Sequence, residues 1–84
     1  MTIQELQYKI NENANTYVTM SGEIDSNGQY SGHLRGSSTD ELYEFVKYIA
    51  ETRGEAFEQV GFRYGGQNPE TYTCYITFDT ADFE

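Results

Sequence analysis

Two side chains suited to nucleophilic or acid–base chemistry occur once each in the chain, His33 and Cys74. A thiol nucleophile needs a base within hydrogen-bond reach and a further group to orient it, so these two residues would have to meet in space. Their local patterns point elsewhere. Cys74 falls in the alternation Tyr72, Cys74, Ile76, which predicts a thiol buried among apolar neighbours, where the reactive thiolate is disfavoured. His33 alternates with Ser31 and Arg35 on what reads as the polar face of a different strand. The expectation is a protein that is not an enzyme, with no catalytic residue and no cofactor.

Two other constellations are weaker still. Asp25-Ser26-Asn27-Gly28 has the first residues of a calcium loop, but the twelfth position counted from Asp25 is Gly36 and not the required glutamate. Gly65-Gly66 is followed neither by a lysine nor by a helical pattern, so it does not read as a phosphate-binding loop. The single cysteine forbids an internal disulfide and a cysteine-based zinc site, which fits a reducing, cytoplasmic setting. No apolar run approaches the roughly 18 residues a membrane span needs.

The carboxylates carry the information. Fourteen Asp and Glu stand against five Lys and Arg, a formal charge of -9, so direct binding to nucleic acid is disfavoured and a basic partner is favoured. Asp40, Glu44 and Glu51, with Glu41 nearby, fall on one side of a single amphipathic segment, and Lys47 interrupts them. Glu55 and Glu58 continue that negative run beyond the segment, while Asp79, Asp82 and Glu84 form a second acidic cluster. Charges one helical turn apart are spaced by about 5 to 6 Å, close to successive phosphates of a nucleic-acid strand. A rigid array of this kind can occupy a lysine- and arginine-lined channel, which would make it a nucleic-acid mimic; the other reading is a charge that only keeps a tyrosine-rich surface soluble.

The elements that must hold this array are legible. Leu, Ile, Val and Phe make up only about a fifth of the chain, but eight tyrosines supply rings that bury about 150 to 250 Å² each, which argues for one folded, thin-cored domain over residues 1–84. Thr2 and Glu5 form a capping box ahead of Ile3, Leu6 and Ile10, predicting a helix over residues 2–12. Period-two alternation predicts a strand over residues 16–24, with Val18, Met20 and Ile24 on one face. Asn27-Gly28 predicts a hairpin turn, followed by a half-exposed strand from Gln29 to Gly36 with Tyr30 and Leu34 inward. Ser38 and Glu41 repeat the capping box, and Leu42, Phe45, Val46 and Ile49 at i, i+3, i+4 and i+7 predict a helix over residues 39–52 ending near Gly54. Val60, Phe62 and Tyr64 alternate as a third strand, residues 65–69 read as a turn, and Tyr72, Cys74, Ile76 and Phe78 alternate as a fourth. Residues 79–84 are expected to fray or to extend the edge. The order α-β-β-α-β-β predicts an α+β two-layer sandwich with an antiparallel four-stranded sheet and the helices on one face.

The first third of the chain adds a second argument. Met1, Ile3, Leu6 and Ile10, then Tyr17, Val18, Ser21, Gly22, Asp25, Ser26 and Asn27, follow a capped helix, a strand ending in Ser-Gly and an Asp-Ser-Asn turn. This pattern resembles the small acidic phage anti-CRISPR proteins that inhibit type II Cas9. The resemblance covers about 27 residues and implies a DNA-mimic inhibitor whose acidic side chains compete with target DNA. It carries over Asp25 and Asn27 as contacts. The pattern departs from the family where a further strand would follow the first hairpin and Ser38 starts a helix instead. The implied partner is therefore a basic nucleic-acid-binding protein of a bacterial defence system, Cas9 or another CRISPR effector, met in the host cytoplasm. The alternative is a protein-interaction or oligomerisation module that docks through Tyr30, Tyr43, Tyr48, Tyr64 and Tyr75.

Overall fold

The computed structural model describes residues 1–55, 63–68 and 71–84, with the backbone alone for 63–68 and 71. Both capping boxes start helices where the side chains dictate. The hydroxyl of Thr2 accepts from the Glu5 backbone N–H and donates to the Glu5 carboxylate, opening α1 (Ile3–Ala14). Ser38 accepts from the Glu41 N–H to open α2 (Thr39–Arg53). Each helix ends on a left-handed residue, Asn15 at φ 58° and Gly54 at φ 70°. Helix α1 therefore runs two residues beyond the sequence expectation, since Asn15 and not the first asparagine of the run makes the turn.

Strands β1 (Thr19–Met20), β2 (Glu23–Ile24), β3 (Gln29–Gly36), β4 (Arg63–Asn68) and β5 (Thr71–Asp79) form one antiparallel sheet. β1 and β2 both pair with β3 and keep a common register, Met20 opposite Leu34 and Glu23 opposite Ser31. They are two pieces of one edge strand, so the sheet is four strands wide, in the order β1/β2, β3, β5, β4. The fold is the α+β sandwich expected, with β3 and β5 central and paired over eight residues.

Three local expectations are corrected. The strand over residues 16–24 is interrupted at Ser21 and Gly22, because Gly22, at φ 116°, brings its backbone against Ser31 and Gly32. Residues 65–69 are not a turn throughout: β4 continues to Asn68, and the two glycines lie where the register slips between Tyr64 and Gln67. Residues 79–84 neither fray nor extend an edge. A 3₁₀ turn, Ala81–Phe83, folds back and buries Phe83 against Phe78 and Tyr48, with ring centroids 5.6 and 6.3 Å apart. Thr80 fixes this turn, its N–H and its hydroxyl both donating to the Gly28 carbonyl.

The core lies between the sheet and the helices, built from Leu6, Ile10, Tyr30, Leu34, Leu42, Phe45, Val46, Ile49 and Ile76, all fully buried. Each such side chain contributes about 1.5 to 3 kcal/mol. Among the described residues, no helix is long and apolar enough to cross a membrane.

Candidate functional site

Burial of one face of α2 dictates what the other presents. Leu42, Phe45, Val46, Ile49 and Ala50 are at most 2% exposed, so the opposite stripe is turned outward. That stripe is Asp40, Glu44, Lys47 and Glu51, at i, i+4, i+7 and i+11, all exposed. By the helical rise it extends about 16 Å along the axis. Lys47 stands within it and forms no ion pair with Glu44 or Glu51; the two ion pairs among the described residues both belong to Arg53.

Three other carboxylates named from the sequence, Glu41, Asp25 and Glu55, are engaged by the protein itself. Glu41 is half-buried: one oxygen accepts from the Ser37 N–H and hydroxyl, the other from the Tyr17 N–H, 3.1 Å away. These bonds, the Ser37 backbone first, hold its carboxyl below its ordinary value against the opposing effect of burial. Asp25 accepts from the N–H groups of Asn27 and Gln29 with one oxygen, both at 2.9 Å, and so closes the hairpin turn. Glu55 pairs with Arg53 at 3.0 Å, and Arg53 also reaches Asp82 and the Asp79 carbonyl. Asn27 is exposed at the hairpin tip. Glu58 lies outside the described residues. The structure therefore gathers Asp40, Glu44 and Glu51 on one helix stripe and leaves Asp25 and Asn27 on the hairpin.

Among the described residues, no helix packs on the sheet's second face. Register places Arg35 beside Thr73, and His33 beside Tyr75, which in turn pairs with Arg63. His33 and Tyr75 meet edge to face with centroids 5.2 Å apart. The exposed side chains of His33 and Arg35 lie on the sheet face away from the helices. The same register puts Cys74 opposite Leu34, inward, so His33 and Cys74 sit on opposite faces of the sheet. Burial pushes the Cys74 thiol up to about 11. Among the described residues, no group of three or more His, Cys, Asp or Glu side chains could hold a metal ion.

The tyrosines redistribute as well. Tyr30 is fully buried, its ring 5.3 Å from Phe78 and its hydroxyl donating to the Ser21 carbonyl, and burial drives its ionisation far upward. Tyr43 stands on α2 and Tyr75 on the uncovered face of the sheet, so the tyrosines read as one interface do not share a surface; the Tyr64 side chain lies outside the described atoms. Among the described residues, the most exposed rings are two that the sequence reading did not select, Tyr8 at 67% and Tyr17 at 87%. A signal for Tyr8 existed: it lies two residues from both Leu6 and Ile10, on the opposite side of the helix from them. Compared with family models, curated proteins and solved structures, the chain matches none.

Proposed function

We propose that this protein is a non-catalytic inhibitor of phage type, acting in the cytoplasm of a bacterial host, that occupies a basic nucleic-acid-binding groove of a defence effector such as a CRISPR complex. The observation that supports this reading is the exposed stripe of α2. Asp40 and Glu44 are separated by about 6 Å along the axis, and Glu51 by about 10 Å more, on a helix whose far side is locked into the core. A fixed backbone presents these carboxylates without an ordering cost at binding, which is the advantage of a preorganised charge array over a flexible acidic tail. Asp25 and Glu41, whose oxygens already accept backbone hydrogen bonds, act in this reading as framework for the surface.

The stripe contains its own internal test, because Lys47 carries the opposite sign at the same surface. Partner captured from a bacterial lysate expressing defence systems, at low salt, is titrated with three proteins. Glu44→Lys combined with Glu51→Lys should weaken binding by more than tenfold, and Lys47→Glu should tighten it, with both variants folded as the parent. Affinity should fall as ionic strength rises, and duplex nucleic acid should compete. Binding that is indifferent to salt and to both reversals overturns the proposal.

A further inference from the structure

Between α1 and the segment that follows it lies an open groove of about 280 Å³, with Tyr8, Glu12 and Tyr17 among its lining residues and Gln7 and Asn11 at its base. Two polar side chains of α1 hold the segment that follows it. Asn11 accepts from the Thr16 hydroxyl and the Val18 N–H and donates to the Val18 carbonyl, while Gln7 accepts from the Met20 N–H. Together with the Glu41 bond to the Tyr17 N–H, these contacts pin the backbone on both sides of Tyr17. A ring exposed to 87% of its surface therefore stands on a fixed pedestal.

Tyr8 shares the groove, and the neighbouring Glu12 carboxylate raises its phenol above the ordinary value, first as a hydrogen-bond acceptor and then by its charge. Two electron-rich rings and a carboxylate thus line a single recess. The neighbouring cation of α1 does not fill it, since Lys9 donates its Nζ to the Phe83 carbonyl. Aromatic faces attract organic cations, and a guanidinium both stacks on a tyrosine ring and pairs with a carboxylate in its own plane.

We infer that this groove is a binding site for an arginine side chain of a basic protein partner, stacked against Tyr8 and Tyr17 and paired with Glu12. The choice of a basic partner rests on the function proposed above; the chemistry of the groove does not. Leaving two large rings in water has no folding benefit, whereas a preformed aromatic recess beside a negatively charged surface complements a positively charged one.

The test needs no partner. N-acetyl-arginine amide is titrated into the protein while its backbone and tyrosine-ring NMR signals are followed, with N-acetyl-citrulline amide as the neutral isostere. The expected result is saturable change confined to Tyr8, Glu12, Tyr17 and their neighbours, with the citrulline compound silent. Tyr17→Ser and Glu12→Gln should each weaken the interaction by about three- to fivefold. Both positions are exposed, so both variants should keep the parent's remaining spectrum. Absent shifts, shifts scattered over all acidic surfaces, or an equal response to citrulline overturn the inference. If arginine amide binds here while the α2 reversals leave partner affinity unchanged, the groove stands and the helix stripe falls.

Discussion

A methyl group added at Gly32 would meet the Ser21 carbonyl oxygen at 1.8 Å and the Tyr30 hydroxyl at 2.7 Å. The absence of a side chain there is what lets the Tyr30 phenol cross beneath β3 and reach Ser21. Gly32→Ala should therefore destabilise the fold by about 3 kcal/mol, and Tyr30→Phe by about 1 to 2 kcal/mol, both measured by urea unfolding. The more conservative change leaves space intact and removes only the hydroxyl; equal losses from the two would show that crowding at Gly32 is not the cause. At Glu41 the consequence is one of pH. Its folded-state carboxyl titrates below the ordinary 4.5, so it contributes stability above that value and loses it as pH falls through the lowered one. Glu41→Gln should be less stable than the parent at pH 7, and the gap should close as pH falls through the lowered value. A gap that persists into acid would assign the effect to packing and not to the charge.

At the scale of elements, the last turn is more than an appendage. Phe83 is 5% exposed and touches rings from both α2 and β5, so it joins the two layers at one end of the core. Phe83→Ala should cost about 3 kcal/mol, while Ser38→Ala, which removes only the α2 cap, should cost about 1 kcal/mol. Thermal or urea unfolding monitored by circular dichroism would rank them, and the reverse order would mean that the turn is dispensable. The helices and the strand Gln29–Gly36 were readable in advance because capping residues and strong periodicity are local signals. Phe83 was hidden because Asp79, Asp82 and Glu84 dominate the composition around it. Only the docking of Thr80 on Gly28, 52 residues earlier, reveals which way that segment turns. The interruption at Ser21 was hidden for a related reason: it depends on Gly32 and Tyr30 in the neighbouring strand.

Across the whole molecule, a formal charge of -9 makes self-repulsion a term in stability. Raising sodium chloride from about 20 mM to about 0.5 M should increase the melting temperature, because screening relieves repulsion among acids that have few local counterions. A fall would mean that the Arg53 pairs with Glu55 and Asp82 outweigh it. The candidate site was legible to the extent that helical spacing decides it: Asp40, Glu44 and Glu51 share an exposed stripe as their intervals require. Asp25, Glu41 and Glu55 were indistinguishable from them in sequence, since nothing in a residue's type tells whether Ser37, Gln29 or Arg53 has already claimed its oxygens. Tyr8 and Tyr17 were missed because their shared groove is created by Gln7 and Asn11 gripping a loop, a tertiary arrangement with no period.

The position of β5 also governs when the protein can come into being. β3 is flanked on one edge by β1 and β2 and on the other by residues 72–79, so during translation that second edge stays open until β5 has been made. A nascent chain stalled before Asp79 would leave that edge of β3 open to chaperones and proteases.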